Sequence, residues 1–191
     1  MKISVFGLGH VGLVSAVCLA EVGHQVIGVD SDPEKLDKIN KGQAPFFEPQ
    51  LAELIRNVSQ KGLFTVTQDQ NRAVEQTEIT FICIDTPCDV EGKIDLTHIQ
   101  KASWEIGQAL KNKPDYHLVV IKSTVVPTTT TEVILPILRT ASGKDTDRFG
   151  LAMNPEFLRE GNAVADFMHP DRIILDIASL EPFQYCTQTG K

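Results

Sequence analysis

Gly7-Leu8-Gly9-His10-Val11-Gly12 decides how this chain is read. The hexapeptide follows a short apolar run, Ile3–Phe6, and opens into Val11–Val22, which has helical periodicity. A second β-branched run, Gln25–Val29, ends at Asp30, 18 residues beyond Gly12. G-x-G-x-x-G alone is a weak signal, but strand, glycine turn, helix, strand and terminal acid in that order describe a dinucleotide-binding βαβ unit. Gly7 permits the tight turn, Gly9 lets the backbone approach a pyrophosphate, and Gly12 lets helix and strand pack closely. The helix start offers unpaired N–H groups and a positive dipole end to phosphates. Asp30 is expected to accept hydrogen bonds from ribose hydroxyls. Its charge would repel a 2′-phosphate, and Ser31 rather than Arg follows it, so NAD is favoured over NADP. Lys35 either reaches the ribose or a phosphate, or is a solvated helix lysine.

Outward from that unit, short apolar runs alternate with helical segments, the pattern of repeated βαβ units. Further strands are expected at Phe64–Thr67, Ile79–Ile84, His117–Ile121, Gly150–Ala152 and Arg172–Leu175. Asp32-Pro33-Glu34 starts a helix with an N-cap and a proline at the first helical position. Another follows Glu48-Pro49, and Asp95 would cap one that ends near Leu110. Thr129 and Glu132 have capping-box spacing, opening a helix to about Ala141. The fold class expected is α/β: a Rossmann-type, doubly wound, mostly parallel sheet with helices on both faces. It should occupy residues 1–176, leaving 177–191 as an unassigned tail.

In such sheets ligands bind beyond the carboxyl ends of strands. Two of those ends carry hydroxyls beside prolines: Ile84-Asp85-Thr86-Pro87-Cys88 and Lys122-Ser123-Thr124-Val125-Val126-Pro127. Thr86 and Thr124 either contact the nicotinamide side or a substrate water, or form turns. After the next strand comes Asn154-Pro155-Glu156-Phe157-Leu158-Arg159-Glu160-Gly161. On a helical turn Glu156 and Glu160 would share one face, serving either acid–base chemistry or a solvated acidic surface near Arg159.

Composition narrows the function classes. With 18 basic and 25 acidic residues the net charge is −7, which disfavours a general nucleic-acid or membrane-surface role. No apolar run approaches the ~20 residues of a membrane span, and the N-terminus reads straight into a strand rather than a signal peptide. Cys18, Cys83, Cys88 and Cys186 have neither metal-ligand nor disulfide-framework spacing, so a reduced, cytoplasmic protein without a metal site is expected. His24, His98, His117 and His169 read as surface or turn histidines.

Taken together, residues 1–175 resemble the UDP-glucose/GDP-mannose dehydrogenase family. The matching segments, in order, are the glycine turn, Gly28-Val29-Asp30 with Lys35, Gly42 with Glu48-Pro49-Gln50-Leu51, Thr86-Pro87, Asp95-Leu96, Lys122–Val125, Asn154–Gly161, and Asp166-Phe167 with Pro170–Ile173. The resemblance implies two-fold, NAD-dependent oxidation of a nucleotide sugar at C6 through a cysteine-bound intermediate. It implies NAD contacts from Gly7, Leu8, Gly9, His10, Val11, Gly12, Asp30, Lys35, Ile84, Asp85, Thr86, Pro87, Cys88, Ser123, Thr124 and Glu160. The nucleotide sugar would meet Glu156, Phe157, Leu158, Arg159 and Glu160. Glu156 would be the general base or acid for the hydrolytic water, with Thr124 holding that water.

Departures from the family pattern are His10 for a usual Tyr, Asp85 for a small or amide residue, and Thr128 where a glycine usually starts a helix. The match ends at Leu175, and the family's G-G-x-C-x-P-K-D segment with its nucleophile is absent from these residues. Cys88 is the one cysteine near the cofactor face, but Asp85, Asp89 and Glu91 surround it, the wrong setting for a thiolate. The 191 residues are therefore expected to be inactive alone, as after a truncated gene, a frameshifted end or a cloning boundary. A chain carrying the cysteine segment, or a second copy, would be the partner. A non-catalytic NAD-binding remnant, and a GDP-mannose or UDP-N-acetylhexosamine 6-dehydrogenase, stay open as alternatives.

Overall fold

Strand order reverses beside the first strand, and that reversal positions everything of interest. In a computed structural model covering residues 1–88, 91–92 and 94–179, the chain forms seven strands in one sheet. They are β1 (Lys2–Phe6), β2 (Gln25–Val29), β3 (Phe64–Thr67), β4 (Ile79–Ile82), β5 (His117–Ile121), β6 (Phe149–Met153) and β7 (Asp176–Ser179). Their spatial order is β3-β2-β1-β4-β5-β6-β7. β1 to β6 pair in parallel and β7 is antiparallel to β6. The chain leaves β1 towards β2 on one side and returns to β4 on the other, which opens a crevice at the carboxyl ends of β1 and β4.

Helices cover both faces, as expected. On one lie α1 (His10–Glu21), α2 (Pro33–Asn40), α3 (Leu51–Gln60) and α7 (Ala163–Met168); on the other lie α4 (Gln70–Glu75), α5 (Thr97–Leu110) and α6 (Leu135–Ser142). β5 shows the division: Leu118 and Val120 join the first core, Val119 and Ile121 the second. Both faces being covered explains why β5 is apolar throughout. Asp32 caps α2, accepting from the N–H groups of Glu34 (2.9 Å) and Lys35 (3.2 Å). Asp69 likewise caps α4, a helix that periodicity did not reveal. Among the described residues no helix is long and apolar enough to cross a membrane.

Four expectations change. Arg172–Leu175 is not a strand; pairing begins at Asp176, opposite Met153. An antiparallel partner at 172–175 would have to face residues beyond Met153, where Pro155 has no N–H to offer. Thr129 does not cap a helix: Thr128 occupies the cap position at φ 72°, and a π-helical turn, Thr129–Ile134, leads into α6. Pro136 sits in the first turn of α6, and its ring excludes a normal hydrogen bond to residue 132, so the preceding turn widens. Residues 154–159 are not helical, so Glu156 and Glu160 do not share a helix face. His117 is no surface residue: it is fully buried, and burial followed by the charge of Lys113 pushes its pKa down to about 3.

Candidate cofactor and substrate site

The glycine turn is built by collisions that a side chain would cause. Gly7 has φ +85°, and a Cβ there would stand 2.8 Å from the Cys83 carbonyl oxygen. A Cβ on Gly12 would come within 1.8 Å of the Gly7 oxygen. Gly9 differs: its nearest neighbours would be the Asp85 carboxylate oxygens at 3.7 Å, so that side of the turn is open to an approaching group. The first main-chain bond of α1 runs from Leu13 N–H to the Gly9 oxygen at 3.0 Å, and no side chain caps the helix. The N–H groups of His10, Val11 and Gly12 therefore have no intrahelical acceptor and suit a pyrophosphate.

Asp30 stands beside this turn. Its Oδ2 accepts from Leu8 N–H (2.8 Å) and Lys35 Nζ (2.7 Å), and its Oδ1 from Asp32 N–H (3.0 Å). Burial works to raise its pKa, but the Lys35 ammonium and those amides outweigh it and hold the carboxyl below the ordinary range. A carboxylate offers about four lone pairs. One on Oδ1 is left for a ribose hydroxyl. Lys35 is thus the partner of Asp30 rather than a solvated lysine.

Two cavities meet at Cys83, Ile84, Asp85 and Pro87, just beyond β4. One, of about 490 Å³, is lined by Gly7, Gly9, Asp30 and Lys35 together with His98, Lys101 and Glu105 of α5. The α5 residues escaped the sequence reading, although a spacing of three and four on a helix entering the sheet's carboxyl edge was the available signal. The other, of about 310 Å³, is lined by Val11, Thr86, Lys122, Ser123, Thr124 and Glu156. Hydroxyls hold its walls together: Ser123 Oγ donates to the Ile84 oxygen (2.6 Å) and Thr86 Oγ1 to the Thr124 oxygen (2.6 Å). Lys122, to which the sequence alone gives no role, is buried here, and burial lowers its pKa against the opposing charge of Glu156. Glu156 Oε2 accepts from Leu158 N–H at 2.8 Å.

Other expected contacts lie off these cavities. Leu8, His10, Gly12, Cys88, Phe157, Leu158, Arg159 and Glu160 line neither. His10 turns its ring to Glu48, Nε2 to Oε2 at 2.8 Å. Arg159 is locked to Asp166 through Nη2 (2.6 Å) and Nε (3.0 Å), which drives the Asp166 carboxyl well below its usual range. Phe157 lies under the Arg172 guanidinium at 5.3 Å, and Glu160 is exposed. Cys18 and Cys83 are buried thiols pushed up to about 12, chiefly by burial. Cys186 lies outside the described residues. Among those described, no three His, Cys, Asp or Glu side chains cluster as metal ligands.

Comparison with known proteins agrees with this geometry. Residues 1–184 match the model of the UDP-glucose/GDP-mannose dehydrogenase family, NAD binding domain. The chain is 43% identical over 176 residues to GDP-mannose 6-dehydrogenase of Pseudomonas aeruginosa and 47% identical to UDP-glucose 6-dehydrogenase of Haloferax volcanii. In each case the match covers 92% of this chain and 40% of the relative, so the chain spans about two fifths of their length. The crystal structure of a ternary complex of the P. aeruginosa GDP-mannose dehydrogenase superposes with a TM-score of 0.91 at 42% identity, over 93% of this chain and 41% of that one. A UDP-glucose dehydrogenase from Pyrobaculum islandicum gives 0.89 at 37% identity, with the same shares. With a family match along nearly its whole length and a pyrophosphate-ready turn beside Asp30, the chain belongs to the UDP-glucose/GDP-mannose dehydrogenase family and carries its NAD-binding domain.

Proposed function

We propose that these residues form the cofactor half of a nucleotide-sugar 6-dehydrogenase that oxidises a sugar C6 alcohol twice, of the UDP-glucose to UDP-glucuronate type. The observation that carries this is the pair of cavities joined at residues 83–87. One holds the Asp30–Lys35 pair and the other gathers Thr124, Glu156 and Lys122. NAD, when bound, accepts a hydride. Asp30 takes a ribose hydroxyl on its remaining lone pair, and the N–H groups at the start of α1 hold the pyrophosphate. Val11, Ser123 and the Ile84–Pro87 loop shape the nicotinamide end. Glu156 moves the proton of a water that the Thr124 hydroxyl orients, and through Glu156 the 156–160 segment borders the cavity that would take the nucleotide sugar. A GDP-mannose substrate is the second reading, favoured by the 43% identity to an enzyme of that name.

The trapping thiol is the missing part. Cys18 and Cys83 are buried and protonated, and Cys88 lines neither cavity. The nucleophile therefore comes from a segment or chain outside the described residues. Titration calorimetry of the purified 191-residue protein with NAD is expected to give a binding isotherm, while mixing with NAD and UDP-glucose or GDP-mannose gives no sustained NADH. Steady NADH formation would sink the requirement for an added thiol. An absence of heat at millimolar NAD would sink the cofactor contacts assigned above.

A further inference from the structure

One buried carboxylate bridges the two halves of the site without lining either cavity. Glu48 is 5% exposed, and both its oxygens are engaged. Oε2 accepts from the His10 ring at 2.8 Å and from Gly161 N–H at 2.9 Å; Oε1 accepts from Ala163 N–H at 3.0 Å. His10 is the first residue of α1, within the turn that receives the pyrophosphate. Gly161 directly follows Glu160, and Ala163 opens α7. Asn162, which precedes α7, does not cap it with its side chain, so Glu48 supplies that acceptor from more than a hundred residues away. The loop carrying Glu48 is held in an unusual shape, with Gln50 at φ 68°.

We propose that Glu48 is a positioning residue that couples cofactor docking at the glycine turn to the seating of the 156–161 segment. The inference rests on the cofactor and substrate roles proposed above. When a pyrophosphate draws in the first turn of α1, the His10 ring moves with it, and Oε2 transmits that movement to Gly161. A carboxylate shared between an imidazole and two amides has no slack: losing any donor leaves a buried charge short of a partner. The nucleotide-sugar segment is thereby ordered when NAD is present and looser when it is not. Coupling of this kind is reciprocal, so whatever orders Gly161 also tightens NAD.

Amide hydrogen exchange at Gly161 and Ala163, with and without saturating NAD, tests the coupling, alongside calorimetric NAD affinities for wild type, Glu48→Gln, His10→Ala and the double variant. In the wild type NAD should slow exchange at both amides by about fivefold or more, a usual size for linked sites. In His10→Ala, with NAD raised to saturate the weakened site, that slowing should vanish. Glu48→Gln should weaken NAD by about fivefold in the wild-type background and leave His10→Ala unchanged. Equal weakening in both backgrounds would reduce Glu48 to a fold fastener and overturn the proposal. So would slowing that persists in His10→Ala, or amides indifferent to bound NAD. A failure of NAD to bind the wild type registers separately, in the calorimetry, and takes the cofactor contacts down with it.

Discussion

The two ends of the sheet bury similar side chains and treat them oppositely. At the amino end Lys113 is 7% exposed and spends all three N–H bonds: on the Val74 oxygen (2.8 Å), the Thr77 oxygen and His117 Nδ1 (2.9 Å). Beside that ammonium His117 stays neutral, its Nδ1 also 3.1 Å from the Thr77 oxygen and its Nε2 2.8 Å from Thr80 Oγ1; Thr80 in turn meets Ser4 Oγ at 2.7 Å. At the carboxyl end Lys122 is 6% exposed, yet among the described residues its hydrogen-bond partner is a single one, Asn154 Oδ1 at 3.2 Å. Thr128 there holds a left-handed conformation, and the glycine turn leaves three amides unspent. Burial of a lysine therefore says little about function. What separates a structural end from a working one is whether donors are spent. Size misleads in the same way: a cavity of about 780 Å³, larger than either of the two beyond β4, lies at the saturated end among Lys2, Glu78, Lys113 and Asp115.

The largest effect should come from a change that joins both properties. Gly12→Ala puts a methyl group within 1.8 Å of the Gly7 oxygen, so α1 must lift from the turn. Overpacking of this order costs about 3 kcal/mol, and displaced amides should weaken NAD by about 100-fold. Urea denaturation and calorimetry measure the two losses. A stable variant with wild-type affinity would show that the turn has more slack than its geometry allows.

Lys113→Met attacks the saturated end alone. It takes the lysine partner from two carbonyls and the His117 ring, at about 3 kcal/mol for the three. NAD affinity should stay within about twofold, since nothing near Asp30 moves. A large loss of NAD binding would break the contrast between the ends. His117 sharpens it through pH. Its folded pKa of about 3 lies below the ordinary imidazole value, so the unfolded chain takes up a proton first as pH falls. The stability this contributes is complete above about pH 6.5 and declines towards pH 3, by on the order of 1.4 kcal/mol per pH unit. His117→Gln should flatten the curve between about pH 6.5 and 5, above the range where carboxylates titrate. An unchanged slope would mean another group sets it.

Thr128→Gly should raise stability by about 1 kcal/mol, because a β-branched residue at φ 72° is strained and glycine is not. Thermal unfolding reads this directly. A drop in stability would show that the Thr128 side chain makes up for its backbone.

How much of this the sequence could reveal follows from what each signal depends on. The glycine turn, Asp30 and the capped helix at Asp32 depend on neighbours within a few residues, and each appears where spacing put it. The fold class follows from the alternation of strands and helices for the same reason. Arg172–Leu175 failed because a strand needs a partner edge, and where β6 ends is a fact about Pro155, far away in the chain. The His117 network and the Glu48 bridge were invisible because their members are separated by tens of residues and joined only by folding. Thr128 is partly legible: the missing glycine shows in the sequence, but the positive φ at that position does not.

The smallest expected effect bears on the most ambiguous residue of the working end. Asp85 faces Gly9 across the open side of the turn and lines both cavities, so its carboxylate looks onto the place a pyrophosphate would occupy. The side chain is exposed, which puts most of the repulsion through water. Two unit charges about 5 Å apart in water repel by about 0.8 kcal/mol. Asp85→Asn removes that repulsion while keeping the shape, and should tighten NAD by about threefold at low salt. The gain should shrink as ionic strength rises and the Debye length falls below that separation. If affinity instead drops, Asp85 is a hydrogen-bond acceptor for the cofactor rather than an obstacle. The crevice would then prefer the ribose hydroxyls, not the phosphates, on that side.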